Sequence, residues 1–266
     1  MIGAIAGDII GSVYEAHPIQ TKAFPLFHPQ SRFTDDSVLT TAVAQAILTD
    51  GDYRRWVWEI GRRYAHAGYG GRFIAWLHSN DPQPYNSWGN GSAMRVSPVG
   101  WAFDTVDDVL HEAARTAEIS HNHPEGIKGA QAAALSVFLA RTTRDKTLIK
   151  KEIAGRFGYD LDRTVERVRP SYGFDVSCRG TVPEAVISFL DASDYEDAVR
   201  NAVSLGGDSD TLACITGAVS EAYYGPVTPG ITVKVKTILP EGLWLIVEQF
   251  RRQYGPNYST PSLSGP

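Results

Sequence analysis

Cysteine is nearly absent. The 266 residues hold two, Cys178 and Cys214, far apart and in no CxxC pair. That excludes a disulfide framework and argues against a cysteine-built zinc site. Both read as buried thiols of a reducing compartment. Positive charge is also in short supply: 25 Lys and Arg against 30 Asp and Glu leave a net charge of −5. No strong nucleic-acid affinity is therefore expected from the field of the whole molecule. Long apolar runs are missing. The N-terminal "MIGAIAGDIIGSVYE" has no basic leader and is interrupted by Asp8, so it reads as neither signal peptide nor membrane span. The expected compartment is the cytoplasm, with no membrane partner. Strand alternation is scarce; "ITVKVKTI" near Ile231 is the best candidate, with an extended loop as its alternative. No Gly-Lys-Ser/Thr follows a glycine cluster, which excludes a nucleotide-triphosphatase P-loop. There is no linker, no composition break and no fixed-period repeat.

What is present is helical periodicity. Hydrophobic residues make up 43% and charged residues 21% of the chain, ample for a core. Apolar residues fall at 38, 39, 42, 43, 46 and 47, one face of a helix. Trp56, Val57, Ile60 and Tyr64 repeat the pattern, as do Val106, Val109, Leu110, Ala113, Ala114 and Ala117. "GIKGAQAAALSVFLA" reads as a buried alanine-rich helix. "TVPEAVISFL" reads as a helix with Pro183 near its first position. "SDYEDAVRNAVSL" has Ser193 and Glu196 at capping-box spacing and stops at Gly206 and Gly207. Leu212, Ile215, Val219, Ala222 and Tyr223 form another stripe, closed by Gly225, and a last helix is expected from about Gly242 to Tyr254. The fold class is all-α, one domain over 1–255, with a Pro/Ser/Gly-rich tail over 256–266 expected to fray. Gly3, Gly7 and Gly11 recur every fourth residue. They suit either close helix packing or a functional turn, and their spacing does not match the dinucleotide fingerprint.

Acids cluster at two expected helix starts. "TDDS" (Thr34, Asp35, Asp36, Ser37) opens one and "DSDT" (Asp208, Ser209, Asp210, Thr211) opens another. One reading is capping, in which a single Ser, Thr or Asp stabilises each helix by roughly 0.5–2 kcal/mol. Two carboxylates with a flanking hydroxyl at each start exceed that need. The other reading is a hard-cation site, since Mg²⁺ and Mn²⁺ take carboxylate, hydroxyl and water oxygens. A helix N-terminus carries about +0.5 charge, so the acids have to overcome it to hold a cation. Asp8 and Glu15 share one helical face if their helix runs that far; a solvated face is the plainer reading.

Glycines mark a third feature. "NSWGNGSAMRVSP" places Gly89, Asn90 and Gly91 in a turn before a short helix expected over 92–96. Such a loop lets backbone N–H groups approach an anion, or is simply a turn. Trp88 beside it suits stacking on a base or a place in the core. In "SHNHPEGIKGA", His121 and His123 are spaced poorly for zinc on one face; capping and an anion contact by His121 are the alternatives.

Taken in order, "GDIIGSVYE", "FTDDS", "WGNGSAMRVSP", "SHNHPEGIKGA", "SCRGTVPEAVISFL" and "SLGGDSDTLACITGAVSEAYYG" resemble the ADP-ribosylglycohydrolase family over roughly residues 1–225. The family often has Thr where Ser37 stands. The resemblance implies a single-domain orthogonal multi-helix bundle with two Mg²⁺ (or Mn²⁺) ions, held by Thr34, Asp35, Asp36, Asp208, Asp210 and Thr211. Glu15 matches the family's acidic residue on a mobile loop. Ser87, Gly89, Asn90 and Gly91 match a diphosphate loop, which Ser92 continues; His121 matches a phosphate contact and Trp88 an aromatic near adenosine. The implied activity is hydrolysis at C1 of the distal ribose of an ADP-ribosylated protein, nucleic acid or small molecule, releasing ADP-ribose, with protein arginine the favoured acceptor. Asp35, Asp36 or Glu15 then orients water or handles protons. The alternatives are a nonenzymatic ADP-ribose-binding or structural relative, and a different metal-dependent phosphoesterase.

Overall fold

The computed structural model describes residues 1–255; the expected frayed tail over 256–266 lies outside them. All regular structure among these residues is helical. The first half contains α1 (Ile2–Gly11), α2 (Asp35–Leu48), α3 (Tyr53–Arg63), α4 (Gly71–His78), α5 (Gly91–Met94), α6 (Ser97–Ala102), α7 (Val106–Glu118) and α8 (Pro124–Thr143). The second half contains α9 (Lys146–Phe157), α10 (Val165–Val168), α11 (Cys178–Leu190), α12 (Tyr195–Val203), α13 (Ser209–Tyr224), α14 (Pro229–Ile238) and α15 (Glu241–Tyr254). The one β-bridge among the described residues joins Gly89 to Ser177. No helix there is long and apolar enough to cross a membrane.

Two helices form the axis. Every residue of α1 is buried, and α13 is buried from Ser209 to Ala222; a helix covered all round belongs in a core. The glycines show how closely the two approach. A Cβ on Gly3 would lie 2.4 Å from Gly217 O, one on Gly7 2.0 Å from Ala213 O, and one on Gly11 2.3 Å from Ser209 O. As the α1 positions rise by four, the α13 positions fall by four, so the helices run antiparallel in backbone contact. The glycine repeat is thus a packing seam. Its geometry sets the end of α1 beside the start of α13. At the opposite end the Met1 amino group and the Gly3 N–H meet the Glu221 carboxylate.

The structure departs from the sequence expectations at several points. "ITVKVKTI" is neither strand nor loop but α14: Pro229 sits in its first turn, Ile231 and Val235 are buried one turn apart, and Val233 is 62% exposed. The β-like alternation simply rotates Val233 outward. Pro183 lies inside α11, which starts five residues earlier than expected; Ser177 caps it by accepting from Gly180 N. The cap of α12 is Asp194, not Ser193, with the Asp194 carboxylate accepting from Asp197 N. α5 ends at Met94, short of the expected 92–96 helix. α1 ends at Gly11, so Asp8 and Glu15 do not share a helical face.

Candidate active site

Asp8 is wholly buried, not on a solvated face. Its carboxylate accepts from Thr34 N (3.0 Å), Thr34 Oγ1 (2.6 Å), Ser37 N (3.1 Å) and the Ser37 hydroxyl. The last turn of α1 is thereby fastened to the first turn of α2. The seam brings α13 to the same place, where the Thr211 hydroxyl reaches Asp36 Oδ2 at 3.4 Å across 175 positions of sequence. The "TDDS" and "DSDT" helix starts therefore converge.

Capping does not account for the acids. Thr34 caps α2, accepting from Asp36 N, while the Asp208 side chain caps nothing on α13. Asp208 Oδ2 instead accepts from Asn90 Nδ2 at 2.7 Å. Glu15, Asp208 and Asp210 each offer a carboxylate oxygen within 4.8 Å of the others, a set that can hold a metal ion. The electrostatics agree. Burial and then Asp8 push Asp35 up to about 8. Asp36 is raised well above the carboxylate range by burial, then Asp8 and Asp35. Asp210 is raised by burial, then Asp208 and Asp36. Glu15 is raised by burial, then Asp208. Carboxylates crowded this way resist sharing negative charge without a cation among them. Asp36 Oδ1 is buried with no hydrogen-bond partner; such an orphan costs energy unless a further group satisfies it. The donor set is all oxygen, which fits a hard divalent cation.

The acids line a cleft of about 530 Å³ that also takes in Ser87, Trp88, Gly89, Asn90, Gly91 and His121. The glycine loop is held from behind by main-chain bonds: Asn90 N to Val176 O (2.8 Å) and Cys178 N to Trp88 O (3.0 Å). Asn90 Nδ2 also donates to Thr181 Oγ1 at 3.0 Å, so one amide joins the loop, α11 and the acids. The loop packs closely on the histidine: a Cβ on Gly91 would sit 3.0 Å from His121 Nε2, so a side chain there would press on the ring. Ser92 is the one expected site residue absent from the lining; its hydroxyl donates to Gly126 O at 2.8 Å and ties α5 to α8. His123 caps α8. Both cysteines are buried and unpaired. Burial raises the Cys178 thiol to about 12, and Cys214 also rises.

Beside the expected Trp88, the cleft is lined by residues that carried no readable signal. Trp88 (51% exposed), Phe174 (62%) and Val176 (45%) present apolar surface at the cleft. Trp88 is thus out of the core, and the Gly89–Ser177 bridge sets the other two beside it. Phe174 stands in an irregular segment with no periodicity to mark it. Arg72, in the first turn of α4, and Tyr85 also line the cleft; the Arg72 guanidinium lies 4.8 Å from the Tyr85 ring centroid. Arg95, fully buried, interrupts the apolar run after Met94; that charge in a hydrophobic setting was the one available hint.

The family model described as ADP-ribosylglycohydrolase matches residues 1–239. The chain is 26% identical to ADP-ribosylhydrolase ARH3 of Mus musculus over 307 positions, spanning 85% of this chain and 82% of that protein. Identity to ADP-ribosylarginine hydrolase Tri1 of Pseudomonas putida is 22% over 264 positions, spanning 85% of this chain and 69% of the relative. Among solved structures, an "ADP-ribosylglycohydrolase-related protein complex" superposes with a TM-score of 0.71 at 24% identity, covering 95% of this chain and 97% of that one. With the family model spanning most of its length, the chain belongs to the ADP-ribosylglycohydrolase family of hydrolases.

Proposed function

We propose that this chain is a divalent-cation-dependent hydrolase that releases ADP-ribose by cleaving the bond between C1 of the distal ribose and an acceptor. The observation that carries this reading is the convergence of two helix starts, joined by a Thr211–Asp36 hydrogen bond across 175 positions, which crowds buried carboxylates and leaves Asp36 Oδ1 unpartnered. Thr34, Asp35, Asp36, Asp208, Asp210 and Thr211 would hold two Mg²⁺ or Mn²⁺ ions. When bound, such ions supply Lewis acidity toward ribose oxygens and lower the pKa of water. The remaining work falls to the chain. Water attacks C1 as the acceptor leaves, through an oxocarbenium-like state. One water proton passes to Asp35, Asp36 or Glu15 and from there to the departing acceptor, while the hydroxyl stays on C1. The Ser87, Gly89, Asn90 and Gly91 loop with His121 would bind the diphosphate, and Trp88 would stack on the adenine. Contacts remote from C1 in this way supply positioning energy for the reacting bond.

Arginine-linked ADP-ribose is placed first among acceptors because one relative, Tri1, is named for it. The test is a panel of arginine-, serine-, nucleic-acid- and small-molecule-linked ADP-ribose, assayed with Mg²⁺, with Mn²⁺ and with chelator, with products weighed by mass spectrometry. Intact ADP-ribose, formed only with metal and lost in Asp208→Ala, is the expected product. AMP would mean phosphoester cleavage instead, and tight binding without turnover on every substrate would mean a binding protein.

A further inference from the structure

Behind the glycine loop lies a chain of hydrogen bonds that the reaction does not use directly. Arg95, just beyond α5, is wholly buried, with no carboxylate partner among the described residues. Its Nη2 donates to Thr116 O at 2.6 Å and to the Ser120 hydroxyl at 3.0 Å, one hydrogen to each. The Ser120 hydroxyl, also fully buried, lies 2.8 Å from His121 Nδ1. A guanidinium only donates. Ser120 Oγ must therefore accept from Arg95, and it has one hydrogen left. Arg95 Nε and Nη1 have no partner, but both Ser120 and His121 Nδ1 are satisfied when that hydrogen goes to His121 Nδ1. An Nδ1–H would leave the buried hydroxyl hydrogen without an acceptor, a costly defect.

His121 Nε2 is the atom that faces the loop. A Cβ on Gly91 would lie 3.0 Å from it and one on Gly89 3.7 Å, and it has no hydrogen-bond partner within the described chain. We propose that Arg95 and Ser120 are positioning residues that fix the His121 proton on Nε2, so that a neutral imidazole presents a single N–H donor to an anion in the Gly89–Gly91 concavity. The proton placement follows from the buried hydrogen bonds alone; its use rests on the diphosphate reading of the loop. The surroundings keep the ring neutral. Burial first, then Arg95 and Arg72, hold the His121 pKa well below the usual histidine value, and Tyr85 is the other titratable ring against it, at 5.8 Å between centroids. Without the serine relay, a neutral imidazole carrying its proton on Nδ1 would turn a lone pair toward the phosphate oxygens.

The experiment is a ¹⁵N imidazole spectrum of the whole chain, free and with ADP, which carries a diphosphate but no reacting ribose. The free protein is expected to show His121 with a bare Nδ1 and a protonated Nε2. ADP should shift that Nε2–H resonance. Ser120→Ala should give a mixture of tautomers and bind ADP roughly tenfold more weakly, with Ser120→Thr restoring both. A generally loosened structure would not move the tautomer in this directed way. An Nδ1–H ring or an imidazolium in the unaltered protein overturns the proposal, whatever the variants do. So does Ser120→Ala with tautomer and ADP affinity unchanged. If ADP fails to bind while the expected tautomer is seen, the proton placement stands and the diphosphate reading of the loop falls.

Discussion

Asp8 shows how one side chain governs a site it need not touch. Its carboxylate takes four hydrogen bonds from Thr34 and Ser37, two of them from backbone N–H groups. The path of the "TDDS" turn, and so the aim of Asp35 and Asp36, depends on it. Asp8→Asn keeps the shape, and its amide N–H₂ can turn toward the Thr34 hydroxyl, but the bonds from Thr34 N, Ser37 N and the Ser37 hydroxyl lose the charge on their acceptor. The expected cost is about 2–4 kcal/mol of stability, read from urea unfolding, with a weaker Mg²⁺ titration. Unchanged stability would mean that the contact network is dispensable. The acids at positions 35, 36, 208 and 210 were readable because charged pairs at helix starts exceed what capping requires. Asp8 was not, because its partners are distant in sequence and its apolar neighbours look like those of any core helix. Phe174 and Arg95 were hidden for the same reason: their importance comes from what the fold sets beside them.

At the level of the element, the α1–α13 seam is the member on which the site hangs. Gly7→Ala would drive a methyl group to 2.0 Å from Ala213 O, a backbone atom that cannot swing aside. A loss of about 3 kcal/mol or more is expected, together with reduced metal affinity as the two helices part. Gly155, inside α9 with open space around it, is the contrast. Gly155→Ala should raise stability by about 0.5–1 kcal/mol. Parallel melts of the two variants separate a glycine demanded by packing from one that merely sits in a helix. Helices with a broad apolar face, such as α2, α7 and α13, were legible from period alone. α9 escaped because it buries little beyond Ile149 and Ile153, and α4 because it is only eight residues long. α14 was misread because β-branched alternation and a one-sided helix look alike over so short a stretch.

For the molecule as a whole, the buried acids would tie folding to the binding of any cation held among them. Asp35 is raised from 3.8 to about 8, and Asp36 and Asp210 rise in the same direction. A carboxyl whose folded pKa lies above its unfolded one contributes stability that is full below about pH 4 and is lost as pH climbs through the folded value. In the metal-free chain this component should lower the melting temperature between about pH 4 and pH 8. Added Mg²⁺ should restore it, and restore more at higher pH, because the ion needs ionised oxygens. A melting temperature at pH 8 indifferent to Mg²⁺ would contradict this. The Gly89–Ser177 bridge has its own consequence. It splices two distant segments by main-chain atoms, which every residue type but proline supplies in full. The residues displayed there, Trp88 and Phe174 among them, are left free to be exchanged over evolutionary time without unravelling the splice. Lineages of this fold can thus retune what the mouth of the cleft prefers while inheriting its shape intact.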